Sequence, residues 1–297
     1  MPSKMLKFFA RSVRAVWRRS PAWLVETSAF RLLGRYIYDR VTRFDLRVQS
    51  HHTKFCRNVP QAEAVRDLIV RDHSGPDLKV ASVGCSTGAE LYSCLYTLRS
   101  SLPDIKVSGV GIDLSHGVVK AAQRADYETS QPASAGVGMF ATGGTETDQL
   151  SEQQVAEIFE TLPDGCLRVR EWIRDDTTWL TADATDPGLI DLIGQQDIVL
   201  ANNFLGPMDD DLVERCVRNL LKLLRPGGFL VVEGIDQKLR ARLFPELGLE
   251  TELERFEEIY NADPSKRNWP WDRWAHEPID RKRVDWPYWY CSIFKKT

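Results

Sequence analysis

Val80-Ala-Ser-Val-Gly84-Cys-Ser86-Thr-Gly88-Ala-Glu90 reads as the end of a strand, a glycine turn and the first turn of a helix. Before it, Asp77 to Val83 is β-prone; after it, Leu91 to Arg99 carries apolar residues at helical spacing. Gly84 and Gly88 allow a sharp turn and a close backbone approach to a ligand, and the following helix presents N–H groups with no partner inside it. Two glycines in a strand-to-helix turn also occur with no ligand at all, so the turn by itself assigns nothing.

Further along, Val107-Ser-Gly-Val-Gly-Ile-Asp113 reads as a second buried strand ending in an acid. Nucleotide-binding α/β folds hold the two ribose hydroxyls at that place. The alternative for Asp113 is an ordinary turn or helix-cap aspartate. No G-x-x-x-x-G-K-[ST] occurs, and the first turn does not match G-x-G-x-x-G, so neither a P-loop nor a pyrophosphate cofactor is expected. S-adenosylmethionine is the remaining common adenosine ligand for this layout.

Gly84-Cys-Ser-Thr-Gly-Ala-Glu90 followed by Tyr92-Ser93 resembles the C-S-T-G-E-E-x-Y-S motif of the CheR-type chemotaxis methyltransferases. Other blocks agree in order and spacing. Thr53-Lys-Phe-Cys-Arg57-Asn58 resembles T-x-F-F-R, Gly111-Ile-Asp113-Leu114-Ser115 resembles G-T-D-I-S, and Ala121 to Tyr127 resembles the helix ending in G-x-Y. Asp197-Ile-Val-Leu-Ala-Asn202-Asn203 resembles F-D-L-I-x-C-R-N, and Leu224-Arg-Pro-Gly-Gly-Phe229-Leu resembles L-x-P-G-G-x-L. The resemblance spans roughly residues 50 to 235.

It implies an α/β fold: a Rossmann-like, seven-stranded class I methyltransferase sheet behind a small helical N-terminal subdomain. We place the basic helical subdomain at 1–75 and the S-adenosylmethionine-binding domain at 76–297, with a variable insert near 128–176 and an aromatic loop near 262–287. The implied cofactor site comprises Thr53, Arg57, Gly84, Ser86, Glu90, Asp113, Leu114, Asp183, Ala184, Asn202 and Asn203, with Arg57 and Asn203 also at the catalytic positions. Each residue type suits its place. The Arg57 guanidinium can bind the cofactor's methionine carboxylate or an acidic acceptor with paired hydrogen bonds. Glu90 can cap its helix or counter the cofactor's positive charge. Asp183, at the end of the strand read over Thr178 to Asp183, can accept from the adenine amino group. Asn202 and Asn203 can orient cofactor or acceptor, or simply form a turn.

The chain also departs from the resemblance. The family continues R-N-V-x-I-Y-F, whereas this sequence has Asn202-Asn-Phe-Leu-Gly-Pro207-Met208, without the arginine or the tyrosine hydroxyl. A changed acceptor is the natural inference. A small molecule is the first expectation, with the protein carboxylates of the chemotaxis enzymes, or binding without catalysis, as alternatives. An ionised carboxylate acceptor needs no general base; an alcohol or amine does.

Charge divides the chain of 297 residues. Residues 1–47 hold 11 Lys/Arg against 3 Asp/Glu and the remainder 28 against 39, so a basic N-terminal segment precedes an acidic body. Met5 to Trp17 and Trp23 to Tyr38 have helix-like apolar spacing between arginines, but no run long enough to span a bilayer and no secretory cleavage pattern. A subdomain packed over the active site, a partner- or membrane-surface helix and a targeting peptide are the readings for this segment. The 6 cysteines are scattered without paired spacing, as expected of reduced thiols in a cytoplasmic protein, and neither they nor the 5 histidines form a metal-ligand pattern, so no metal is expected.

Gln61 to Val70, Leu212 to Leu224 and Asp236 to Leu247 read as helices; Asp197 to Ala201, Phe229 to Val232, Leu249 to Tyr260 and Tyr288 to Phe294 read as strands, with Pro226 to Gly228 as a turn. Glu128 to Asp176 is the least patterned part of the domain and a candidate for acceptor contacts. Trp269, Trp271, Trp274, Trp286 and Trp289 are five of the chain's 9 tryptophans, interleaved with Arg273, Arg281, Lys282 and Arg283. They could stack on a planar ligand or pack against the domain surface. No nucleic-acid module is present, and the acidic body argues against one.

Overall fold

The computed structural model describes residues 13, 14, 16–40, 42, 51, 53–128, 150–263, 269–271 and 276–297. Its helices are α1 (Ala22–Val25), α2 (Ser28–Arg40), α3 (Val59–Asp72), α4 (Ala89–Ser101), α5 (His116–Arg124), α6 (Glu152–Ile158), α7 (Glu171–Arg174), α8 (Leu189–Ile193), α9 (Asp210–Leu223), α10 (Gln237–Glu246), α11 (Phe256–Ala262) and α12 (Trp286–Tyr290). Its strands are β1 (Asp77–Val83), β2 (Lys106–Asp113), β3 (Asp126–Tyr127), β4 (Phe159–Thr161), β5 (Leu167–Val169), β6 (Thr177–Thr181), β7 (Gln196–Leu200), β8 (Leu224–Val231), β9 (Leu249–Thr251) and β10 (Ile293–Lys296).

Seven strands form one sheet in the order β6-β2-β1-β7-β8-β10-β9. β6, β2, β1, β7 and β8 run parallel, and β10 pairs antiparallel with both β8 and β9. The central strands carry buried apolar runs because helices cover both faces of a parallel sheet: β7 is buried at every position, its Ile198-Val199-Leu200 run following Gln196 and Asp197. One core gathers β-sheet residues with α9 and α10 through Val213, Val217, Leu220, Leu239 and Leu243; the other gathers the opposite face with α3 and α4 through Leu68, Leu91 and Leu95. The strand order reverses beside β1, so the carboxyl ends of β1 and β7 open a crevice there, the place where such sheets bind ligands.

Several sequence expectations change at this level. Leu249 to Tyr260 is not one strand, since β9 ends at Thr251 and α11 begins at Phe256. Phe256, Ile259 and Tyr260 are buried at helical spacing, with Glu257 and Glu258 in the first turn where the helix dipole favours acids. Tyr288 to Phe294 likewise divides into α12, with Pro287 in its first turn, and β10. Pro226 to Gly228 lies inside β8 as an irregularity in its pairing with β7, and a Cβ on Gly228 would stand 2.9 Å from the Asp197 carbonyl oxygen.

Within the expected insert, α6 with its Ser151–Gln154 capping box leads into β4 and β5, which form a small antiparallel sheet, β3-β5-β4, with β3 just before the insert. Arg168 and Asp126 tie β5 to β3 through two hydrogen bonds of 2.6 and 2.9 Å. Gly136 to Gly144 lie outside the described residues.

The N-terminal helices pack on the C-terminal part of the chain. Arg35 Nε donates to both Glu277 oxygens at 2.9 Å, Arg31 Nη2 donates to the Ile279 carbonyl oxygen at 2.9 Å, and the Tyr38 hydroxyl donates to Asp236 at 3.0 Å. Trp17 and Trp269 meet edge to face at 5.6 Å. At least two of the basic residues counted in the N-terminal segment are therefore spent on internal contacts. Among the described residues, no helix is long and apolar enough to cross a membrane.

Candidate functional site

The glycine turn sits at the tip of β1, between the ends of β2 and β7. Gly84 and Cys85 donate their N–H groups to the Ile112 carbonyl oxygen at 2.8 and 2.9 Å, fastening the turn to the neighbouring strand. Gly84 and Gly88 adopt φ of 74° and 90°, in the left-handed region. What crowds them is this chain itself: a Cβ on Gly84 would lie 2.6 Å from the Phe204 ring, and one on Gly88 would lie 2.7 Å from the Trp179 ring. Their conservation of space is thus explained by packing before any ligand is considered. Ser86 is also left-handed, and its hydroxyl donates to the His51 carbonyl oxygen.

Asp113 holds this loop. Its Oδ2 accepts from the Ser86 N–H and its Oδ1 from the Ser115 N–H, both at 2.9 Å. Each carboxylate oxygen has a second lone pair, so the turn-aspartate role is observed and ribose recognition requires only the remaining acceptors. Leu114 beside it is 62% exposed, the leucine at the mouth of the crevice. Asp183 lies two residues past β6 and is exposed, with Oδ1 accepting from the Thr185 N–H at 2.8 Å; Ala184 is buried beneath it, its carbonyl oxygen accepting from Asn219. Thr53 and Arg57 are half-buried on the segment leading into α3.

The inner wall is a hydrogen-bonded array. Asn202 Nδ2 donates to Glu90 Oε1 at 2.6 Å and to Gln61 Oε1 at 3.0 Å; Ser82 donates to Glu90 Oε2 at 2.9 Å; Gln61 Nε2 donates to Ser292 at 3.0 Å. Burial pushes the Glu90 carboxyl above the usual range, while hydrogen bonds from Asn202 and Ser82 and the nearby Arg57 charge pull it back. Asn202 Oδ1 is buried with no hydrogen-bond partner. An unsatisfied buried acceptor and a desolvated carboxylate are the complement of a ligand carrying N–H donors and positive charge, so these residues fit the amino-acid end of S-adenosylmethionine.

The two asparagines take different roles. Asn202 points inward, whereas Asn203 is exposed with φ 63°, its N–H donating to the Glu233 carbonyl oxygen at 2.9 Å. Its backbone forms the turn that asparagine tolerates well.

Glu233, just beyond β8, is 6% exposed, with its carboxyl pushed up to about 8 by burial and then by Asp263, against the lowering influence of Arg240, Ser292 and Arg57. Sequence reading did not single out Glu233 or Gln61. Both carried signals: Gln61 shares the buried helix face of Ala64, Val65 and Leu68, and Glu233 ends an apolar strand run as Asp113 does.

The described tryptophans of the aromatic loop do not line this crevice. Trp269 packs against Trp17 and Gly34, Arg283 lies 3.7 Å over Trp289, and Arg281 lies 5.3 Å over Trp286. The surface-packing alternative accounts for these rings, not stacking on a planar ligand. Trp274 and Arg273 lie outside the described residues.

Residues 51–242 match the family described as CheR methyltransferase, SAM binding domain. The chain is 24% identical over 184 residues to chemotaxis protein methyltransferase 2 of Vibrio cholerae, covering 61% of this chain and 60% of that one. It is 28% identical over 166 residues to the probable biofilm formation methyltransferase WspC of Pseudomonas putida, covering 56% of this chain and 36% of that one. The matched region thus spans less than two thirds of either relative. The SAM-bound amino pentose methyltransferase CalS10 of Micromonospora echinaspora is 14% identical, with 60% of this chain and 50% of that one covered and a TM-score of 0.35.

Proposed function

The chain belongs to the CheR methyltransferase family through its S-adenosylmethionine-binding domain, and from that premise we propose that it methylates a carboxylate carried by a protein. The observation that carries this reading is Arg57. It makes no hydrogen bond or ion pair among the described residues, yet lies near enough to the buried Glu90 and Glu233 to lower both carboxyls. A guanidinium beside two desolvated acids, without a fixed partner, is prepared for a further carboxylate.

Bound S-adenosylmethionine supplies an activated methyl group. Glu90 and Asn202 bind and orient the charged end of the cofactor, Asp113 and the Gly84–Gly88 turn hold the nucleoside end, and Asp183 accepts from the base. Arg57 orients a carboxylate, and the wall formed by Gln61, Ser82 and Ser292 keeps the inner end of the crevice dry. An ionised carboxylate needs no base to remove a proton. The name of one relative, a chemotaxis protein methyltransferase, supports a protein acceptor, and the packing of the described tryptophans removes the main support for a planar small molecule. Pro207, in place of the family tyrosine, distinguishes this acceptor end from that of the receptor-methylating enzymes.

The test is incubation with methyl-labelled S-adenosylmethionine and an extract of the source cells, followed by separation of macromolecules from small molecules. Base-labile label on protein supports the proposal. Label confined to small molecules, or base-stable label on protein, overturns it.

A further inference from the structure

We propose that Glu233, Asp263 and His276 form a binding site for a divalent transition-metal cation at the inner end of the crevice. One candidate ligand atom from each of the three lies within 4.8 Å of the other two, and all three residues are buried. Their spacing of 30 and 13 positions hides them from sequence inspection, because the end of β8, the end of α11 and the segment before α12 bring them together only in the fold.

Two independent observations point to a ligand. The first is the set of orphaned polar atoms: Glu233 Oε2, His276 Nδ1 and His276 Nε2 are buried without hydrogen-bond partners, on residues 6% and 2% exposed. Buried polar atoms are normally satisfied, so Glu233 Oε2 and His276 Nε2, 3.4 Å apart and without a hydrogen bond, leave the group incomplete as it stands. The second is charge. Arg240 is fully buried and donates to the Tyr288 and Trp289 carbonyl oxygens, with Nη1 left over. Its charge lies near Glu233 and His276 without a hydrogen bond to Glu233 Oε2, which keeps that buried acceptor open to a cation.

The donor set selects the metal. One imidazole with two carboxylates suits first-row transition cations, whereas magnesium and calcium prefer oxygen alone. His276 Nε2 and Glu233 Oε2 stand 3.4 Å apart. Two bonds of about 2.1 Å span up to about 4.2 Å, so small side-chain rotations bring the third atom into reach. Tyr260 stacks on the imidazole at 5.9 Å and 26° and is itself anchored to the Glu277 carbonyl oxygen, which fixes the ring plane. The proposal does not depend on the identity of the methyl acceptor.

The test is titration of metal-stripped full-length protein with cobalt(II), followed by competition with zinc. One equivalent should bind, with a visible absorption spectrum of nitrogen and oxygen ligation. X-ray absorption of the wild-type cobalt form should show imidazole and no sulfur, a readout that needs no variant. Glu233→Gln and His276→Gln should each weaken binding about tenfold or more, while His116→Gln, at an exposed histidine, should not. No saturable binding, sulfur ligation by the cysteines, or wild-type affinity in folded His276→Gln overturns the proposal.

Discussion

Asn202 Nδ2 donates to Glu90 Oε1 at 2.6 Å, joining the tip of β7 to the first turn of α4 across 112 positions of sequence. The bond does two things. It supplies part of the polar environment that the desolvated Glu90 carboxylate lacks, and it leaves Asn202 Oδ1 facing inward as an unused acceptor. Both atoms lie where the β1 and β7 tips diverge, so the array belongs to the sheet's ligand crevice rather than to its core.

Glu90 should make the cofactor-free protein pH-sensitive. Its folded carboxyl is raised above the ordinary 4.5, chiefly by burial, so its contribution is fully favourable below that value and is lost as pH rises through the folded pKa. Glu90→Gln removes this loss. Thermal melts should show the variant gaining stability relative to wild type as pH rises from about 4.5 towards neutrality, while isothermal titration shows weaker S-adenosylmethionine binding. A stability difference that does not change with pH contradicts the assignment.

Arg57→Lys separates function from stability. Because Arg57 has no fixed partner among the described residues, its replacement should leave the melting temperature unchanged. Loss of the planar two-point fork should weaken cofactor or acceptor binding about tenfold, corresponding to about 1.4 kcal/mol. Unchanged binding and turnover would place Arg57 on the surface merely as a charge.

Arg35→Ala should destabilise the junction between α2 and the segment before α12. The Glu277 side chain is 2% exposed and loses its two-point partner, although Arg31 remains 3.9 Å away. Removing one member of a buried pair costs about 3–5 kcal/mol, so the lower end is expected here with Arg31 present. Arg35→Ala/Glu277→Gln should recover much of that loss in urea titrations; additive losses would show that the pair is not the cause.

Gly111→Ala tests close packing without a backbone effect. A Cβ there would meet the Trp179 ring at 2.2 Å, and overpacking of this kind costs about 1–3 kcal/mol. Adding Trp179→Leu should restore part of the stability, measured as a rise in unfolding midpoint over Gly111→Ala alone. No rescue would mean that the crowding lies elsewhere.

The local pattern of β1, the glycine turn and α4, with the apolar runs of β2 and β7, marked the alternation of strands and helices, because strand tips and helix starts follow from side-chain periodicity and from glycine at sharp turns; the seven-stranded methyltransferase sheet followed from the resemblance of these blocks to the CheR-type enzymes. That resemblance also placed Gly84, Ser86, Glu90, Asp113 and Asn202 at one end of that sheet. Where the C-terminal third changes period within a few residues, as between Thr251 and Phe256, alternation and helical spacing overlap and sequence alone misread the elements. Only the tertiary structure turned Asn202 inward and Asn203 outward, put Gln61 and Glu233 behind Glu90, seated Trp269 on the N-terminal helices, and gathered Glu233, Asp263 and His276. The reason is physical: burial, desolvation and the pairing of distant polar atoms depend on which strands and helices become neighbours, and no local spacing records that.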